Sequence, residues 1–301
     1  MDVIVLAAGL GSRFGGLKQL TPVTPQGEFI IDFSVFDAIR SGFDRIIFLI
    51  KREHEADFEE TVSKRIRNSR IGKNAEICYA YQDPEPFGAK NPEGRTKPWG
   101  TTHAIISCRD AVKGDFAVIN SDDYYGRETY SVLADYMKGG LSSDRGAMVG
   151  FLLKNTVSEN GAVSRGVCGV KNGVLATIDE HVGIERGADG IIRGKSSSGE
   201  IRALADDTVV SMNCWALPKD VIGEFAEDFP KWFANIKDPL KDEIFLPNSV
   251  GELVEKGRLS VDVLRSPSVW FGVTYRSDAP AVERYLADMK ARGLYPESIW
   301  E

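Results

Sequence analysis

Histidine, cysteine and long apolar runs are all scarce in this chain, and each scarcity removes a class of function. Three histidines occur, His54, His103 and His181, with none of the spacings that zinc ligands take, so a zinc site is not expected. The four cysteines, Cys78, Cys108, Cys168 and Cys214, stand far apart and never form a C-x-x-C pair. They read as reduced, mostly buried thiols of a cytoplasmic protein. No stretch approaches the roughly 18 apolar residues of a membrane helix. The chain opens directly on a strand-like run, so neither a membrane span nor a signal peptide is expected. A basic excess is missing too: 37 Lys and Arg against 44 Asp and Glu leave a formal charge of −7, and nothing draws the whole molecule to nucleic acid or anionic lipid. The short basic cluster Lys64-Arg65-Ile66-Arg67 reads as a solvated helix face. There is no Pro- or Ser-rich linker, internal repeat or low-complexity tract.

What remains is the profile of a globular protein, with 43% apolar and 27% charged residues over 301 positions. Val3–Ala7, Arg45–Ile50, Ala75–Tyr81 and Phe116–Asn120 are short apolar runs that read as buried strands. Between them lie helical patterns: Phe33, Phe36 and Ile39 before a terminating Gly42, then Glu55–Arg67, then Thr101–Val112. Strand and helix alternate at the length of βαβ units, which predicts an α/β fold, three-layered and Rossmann-like, with a mostly parallel central sheet. Beyond Tyr125 the pattern changes to strand-like runs at Ala147–Leu153, Val167–Lys171, Val174–Ile178 and Val209–Ala216. Helices return at Val221–Phe229, Lys241–Lys256 and Ala279–Arg292. Two long loops are expected, Asp83–Pro98 and Arg186–Glu200.

The segment after the first strand, Leu6-Ala-Ala-Gly-Leu-Gly-Ser-Arg-Phe-Gly-Gly-Leu-Lys-Gln-Leu20, carries the functional argument. Gly9, Gly11, Gly15 and Gly16 let backbone N–H groups turn toward a ligand without interference from a Cβ. Arg13 and Lys18 add two positive charges to the same loop. Amides for the bridging oxygens, a guanidinium for the outer phosphates and an ammonium for the α-phosphate together suit a triphosphate. Two rival phosphate loops do not fit. The dinucleotide fingerprint G-x-G-x-x-G meets G-x-G-x-x-x-G-G here, and the Walker loop needs Gly-Lys-Ser/Thr where this chain has Leu17-Lys18-Gln19.

The pattern L-A-A-G-x-G-x-R followed shortly by Lys resembles the signature of the sugar-phosphate nucleotidyltransferases. The likeness continues through Lys18-Gln-Leu, Pro22-Val23, Gly27 and Ile30-Ile31, through Pro98-Trp-Gly-Thr-Thr-His-Ala104, and through Val118-Ile-Asn-Ser-Asp-Asp123. It is firm over residues 1–125 and continuous, though weaker, to about residue 275. It implies a single nucleotidyltransferase domain over residues 1–301. Residues 1–125 would form the nucleotide-binding half, and residues 126–301 the acceptor-binding half with the C-terminal helices. The implied activity is transfer of NMP from an NTP to a small phosphorylated acceptor, a sugar 1-phosphate first among them, with release of pyrophosphate and with Mg²⁺ as cofactor. Family members are often homo-oligomers, although no heptad or apolar stripe in this chain identifies an interface.

Carried over residue by residue, the resemblance makes Arg13, Lys18 and Asp122 catalytic. Leu6, Ala8, Gly9, Gly11, Ser12 and Arg13 would hold the nucleotide with Gln82, Gly100 and Thr101, and Gln82 would read the base. Asp122 would bind the metal at the carboxyl edge of the sheet. Asp123, Gly166, Glu180 and Asn213 would meet the acceptor. Two departures stand out. The family usually places Lys after the glutamate, where this chain has His181. Trp270-Phe-Gly-Val-Thr274 resembles a W-x-D-x-G segment whose aspartate is a second metal ligand, but Gly272 occupies that position; Asp278 is then a candidate metal ligand. Trp99 reads either as a stacking partner for the nucleoside or as a core residue.

Other readings stay open at this point. One is cytidylyl transfer to an alditol, aminoalkyl phosphate or phosphonate, which the short Arg13–Lys18 spacing supports. Another is a catalytically weak nucleotide-binding or regulatory protein, motivated by Gly272 and His181.

Overall fold

The computed structural model describes residues 1–9, 21–83, 85, 90–272 and 279–301. Its strands are β1 (Asp2–Leu6), β2 (Arg45–Ile50), β3 (Glu76–Tyr81), β4 (Phe116–Asn120), β5 (Asp123–Tyr124), β6 (Arg145–Leu152), β7 (Val163–Lys171), β8 (Val174–Arg186), β9 (Ile192–Lys195), β10 (Ile201–Leu204), β11 (Val209–Leu217), β12 (Ser260–Arg265) and β13 (Phe271–Gly272). The helices are α1 (Ile30–Arg40), α2 (Glu55–Phe58), α3 (Lys64–Asn68), α4 (Thr101–Ser107), α5 (Arg127–Gly139), α6 (Val221–Ala234), α7 (Leu246–Glu255) and α8 (Ala279–Ala291).

One eleven-stranded sheet runs through both halves in the order β10-β9-β8-β12-β6-β11-β4-β1-β2-β3, with β7 pairing β11 and β8. Strands β3, β2, β1 and β4 are mutually parallel. β1, β2 and β4 are apolar runs buried on both faces, as βαβ crossovers require, whereas the edge strand β3 is only partly buried. Along β1, Val3 and Val5 enter one core cluster and Ile4 the other, so the alternation of side chains feeds a layer on each side of the sheet. Past β4 the sheet is mixed. Strand β11 runs antiparallel to β4, β6 and β7, and β8 antiparallel to β7 and β9, whereas β12 is parallel to β6. The expected mostly parallel arrangement therefore holds for β1–β4, while in the second half β12 and β6 form the only parallel pair among the described strands.

Several boundaries differ from those that the sequence pattern predicts, each for a local reason. Thr101–Val112 is helical only to Ser107, because the Ala111 and Val112 N–H groups both bond back to the Cys108 carbonyl and close turns instead. The helix expected at Lys241–Lys256 begins at Leu246. Pro247 sits in its first turn, and Asp242 draws the N–H groups of Lys237 and Asp238 into a separate turn ahead of it. The expected loop Arg186–Glu200 contains the end of β8, all of β9 and the turn into β10, reversed at Gly190 and Gly199, where φ is +80° and +90°. Strand β12 is additional to the elements that the sequence pattern predicts.

The C-terminal segment is tied to α1 by buried polar contacts. Asp32 accepts the Phe29 N–H at 2.8 Å, which caps α1, and also the Trp300 indole N–H at 2.8 Å. Burial pushes the Asp32 carboxyl up to about 6 against the opposing Arg65 charge, and pushes Asp37, which accepts from the Tyr295 hydroxyl, up to about 7. Glu28 receives the Ile299 N–H at 2.7 Å and pairs with Lys290. The first helix after the glycine-rich loop is thus held from the far end of the chain. Replacing Trp300 by Phe keeps a ring but removes the donor to a fully buried carboxylate. Chemical denaturation should show a loss of about 1–3 kcal/mol; an unchanged midpoint would mean that this bond contributes nothing.

Candidate active site

The carboxyl ends of β1, β3 and β4 converge with the N-terminus of α4 on a cavity of about 340 Å³. Its walls include Leu6, Ala8 and Gly9 from β1 and its exit, Gln82 after β3, Gly100 and Thr101 at α4, and Asp122. This is where an open α/β sheet binds its ligand. Gly100 makes the turn possible: its φ is +101°, and a Cβ there would lie 2.3 Å from the Ile244 carbonyl oxygen. The turn is clamped to the second half of the chain. Thr102 N–H donates to the Ile244 carbonyl at 3.1 Å, Ile244 N–H to the Trp99 carbonyl at 2.9 Å, and Leu246 N–H to Thr101 Oγ1 at 2.7 Å. Gln82 Nε2 donates to the Gly100 carbonyl at 3.0 Å and lies 3.4 Å from His103 Nδ1. Burial pushes the His103 imidazole down to about 4, so it is neutral near pH 7. Trp99 resolves as a core residue. It is 1% exposed, packed edge-on to Phe233 at 4.9 Å and under the Arg95 guanidinium at 3.6 Å.

A second, smaller cavity of about 170 Å³ opens beside the first, and the two share Asn120, Asp122 and Asn213. It gathers Asp122, Asp123, Gly166, Glu180 and Asn213, the residues that the sequence assigns to the acceptor and metal. Asn213 sits in a bulge of β11, where the register shifts between Ser211 and Trp215, and its φ is +56°. A bulge re-aims a side chain, and asparagine tolerates the left-handed conformation that this one needs. Its Nδ2 lies 3.4 Å from Asn120 Oδ1, and its buried Oδ1 has no partner among the described residues. Asn120 Nδ2 in turn donates to Asp123 Oδ2 at 2.8 Å. Gly166 faces Glu180 across the β7–β8 ladder, and a Cβ on it would meet Pro247, Ile178 and Ser211 at 3.1–3.2 Å.

A nucleotidyl transferase family model matches residues 2–180, more than half of the chain. The chain belongs to the nucleotidyl transferase family. The inositol-1-phosphate CTP transferase of T. maritima is 14% identical, with 96% of each chain covered and a TM-score of 0.62. A candidate glucose-1-phosphate thymidylyltransferase of Bacillus anthracis, in complex with sucrose, is 13% identical over 96% of each chain, with a TM-score of 0.60. UDP-glucose pyrophosphorylase complexed with UDP-glucose is 16% identical over 95% of this chain and 98% of its own, with a TM-score of 0.56. At such identities the likeness establishes the fold alone. No curated protein matches the chain.

Within this nucleotidyl transferase the departure at Gly272 acquires a structural reason. Gly272 pairs with Asp123 across β13 and β5, and a Cβ on it would lie 2.7 Å from Asp123 Oδ1 and 2.5 Å from the Trp270 ring. The space in which a side chain at 272 would start is filled by the Asp123 carboxylate. The oxygens of Asp122, Asp123 and Asn213 suit a hard divalent cation that takes few protein ligands and completes its shell with phosphate and water. Among the described residues no group of three or more His, Cys, Asp or Glu could hold a metal. Gly11, Ser12, Arg13, Lys18 and Asp278 lie outside the described residues.

His181 lines neither cavity: it is buried, with Nδ1 3.0 Å from the Asp179 carbonyl oxygen and 3.4 Å from the Asp179 carboxylate. Two further cleft residues are absent from the set that the sequence assigns, although each carries a signal. Asn120 ends a buried apolar strand in a polar side chain, which marks a ligand-facing edge. Arg165 is a charge buried inside a strand, which is uncommon without a partner or a function. Glu180 lies close enough to Arg165 to feel its charge, yet burial dominates and pushes the Glu180 carboxyl up from 4.5 to about 7. With the folded value above the unfolded one, the protonated carboxyl favours the fold at low pH. That contribution is lost as pH rises through about 7. Relative to Glu180→Gln, the wild type should therefore lose stability between pH 5 and 8 in urea titrations; parallel curves would show that Glu180 is not so buried.

Proposed function

We propose that the protein transfers NMP from a nucleoside triphosphate to a small phosphorylated acceptor, foremost a sugar 1-phosphate, and releases pyrophosphate. The observation that carries this reading is the junction of the two cavities at Asp122 and Asn213. A nucleotide in the larger cavity and an acceptor in the smaller one meet at a carboxylate on the sheet edge. In the reaction an acceptor phosphate oxygen attacks the α-phosphorus in line, the bond between the α-phosphorus and the bridging oxygen breaks, and pyrophosphate leaves with the electron pair. Both reactants are anions, so the chain's main task is to position them and to offset their charge.

Gly100 and Thr101 hold the nucleoside beside Gln82, whose amide hydrogen bonds to the base select it. Lys18 binds the α-phosphate, and Arg13 with the loop amides takes the departing pyrophosphate. Glu180 accepts hydrogen bonds from acceptor hydroxyls. Asp122 and Asp123 would hold Mg²⁺, which when bound supplies charge neutralisation at the α-phosphate. A polyol phosphate as acceptor with CTP as donor is the second reading, favoured by the compact Arg13–Lys18 loop and by the T. maritima inositol-1-phosphate CTP transferase among the fold neighbours.

Pyrophosphate release, measured for the common NTPs against sugar 1-phosphates and polyol phosphates, identifies the pair. With that pair, Lys18→Ala and Asp122→Asn should each lower kcat by roughly two or more orders of magnitude, with thermal unfolding unchanged. Full turnover in either variant removes that residue from the mechanism. If NTP binds and no pair releases pyrophosphate, the protein is a nucleotide binder without turnover.

A further inference from the structure

The acceptor-side cavity has an electrostatic problem that the roles proposed for its residues leave unsolved. The charged residues lining it are Asp122, Asp123, Glu180 and Arg165, whose guanidinium lies beside the Trp270 ring of the same lining. A phosphate monoester entering there faces three carboxylates and one cation. Arg165 is 8% exposed, and no carboxylate lies within 4.0 Å of its guanidinium among the described residues. Such a charge is costly to bury unless something pairs with it. Its fork is half used: Nη1 donates to the Ser164 carbonyl at 2.7 Å, Nη2 donates to the Thr156 carbonyl, and buried Nε has no partner among the described residues. The plane also lies 5.1 Å from the centre of the Trp270 ring, which fixes its orientation. An arginine stays charged at any working pH and matches tetrahedral phosphate oxygens with paired N–H donors.

We propose that Arg165 binds the phosphate of the acceptor, so that this cavity selects substrates by a phosphate monoester. The Ser164 and Thr156 carbonyls and the Trp270 face hold the guanidinium in place before the substrate arrives. Arg165 then supplies on the acceptor side the cation that His181 does not, while the glycine-rich loop serves the nucleotide. The word "acceptor" rests on the transferase reading; the binding of a phosphate at Arg165 does not.

The test compares wild type with Arg165→Gln and Arg165→Lys. Inorganic phosphate is titrated by calorimetry with an α,β-methylene nucleoside triphosphate present to fill the larger cavity. Arg165→Gln should weaken phosphate binding about ten- to a hundredfold, and should raise the acceptor KM by a similar factor while the NTP KM stays within about twofold. Arg165→Lys, which keeps the charge and loses the fork, should fall between. Unchanged phosphate affinity in Arg165→Gln, or equal rises in both KM values with a lowered melting temperature, would reduce Arg165 to a structural strut. In the wild type, inorganic phosphate should compete with the acceptor; competition with the NTP alone would count against the assignment without any variant. Phosphate bound through Arg165 in a protein that transfers nothing would sink the transferase reading and leave this one standing. Robust transfer with an unmoved acceptor KM would do the reverse.

Discussion

In the proposed transfer, repulsion between two phosphorylated reactants is the constraint that organises this cleft. Its two anions would approach each other at the end of β4, where the chain itself contributes Asp122 and Asp123 and where Glu180 lines the adjoining wall. In a partly water-excluded site, that repulsion is far stronger than in bulk solvent. Carboxylates at such a place make sense only with cations opposite them. The chain provides one buried guanidinium, Arg165, in the smaller cavity, its sequence carries two cationic residues, Arg13 and Lys18, shortly after β1, and the carboxylates suit a metal ion.

The fold places these groups by joining distant pieces of chain rather than by a single motif. The turn at Gly100 is closed by Ile244 and Leu246, so this wall of the larger cavity depends on the segment that leads into α7. Asn120 and Asn213 meet because β11 runs antiparallel beside β4 and bulges where the two cavities join. Asp123 owes its position partly to an absence, since any side chain at 272 would collide with it. The buried network of Asp32, Asp37, Tyr295 and Trp300 does the same for α1, whose start follows the glycine-rich loop. Each of these contacts couples residues more than 80 positions apart, so the site is only as well formed as the whole sheet.

Short apolar runs are the most legible feature of the chain. Arg45–Ile50 and Phe116–Asn120 form strands with the boundaries that composition predicts, because a strand buried on both faces has little freedom in where it starts and stops. Gly42 marks the end of α1 for a similarly local reason, its φ of +101°. Legibility fails where a neighbour overrides local preference. The run after Ser107 has helical spacing, yet the Cys108 carbonyl closes a turn on it. The polar stretch Arg186–Glu200 looks like a loop because its strands form an exposed antiparallel extension and need no continuous apolar face.

By itself the sequence determined the family, the glycine-rich and doubly cationic character of the loop after β1 and the acidic strand end at Asp122, since these depend on residue types at fixed, short spacings. Tertiary structure decided which charges face one another. That Arg165 and Glu180 share a cavity with Asp122, and that Gly272 makes room for Asp123, are consequences of strand pairing and register between segments far apart in the chain. Spacing along a polymer does not encode such pairings, because they are set by which faces of distant strands bury together.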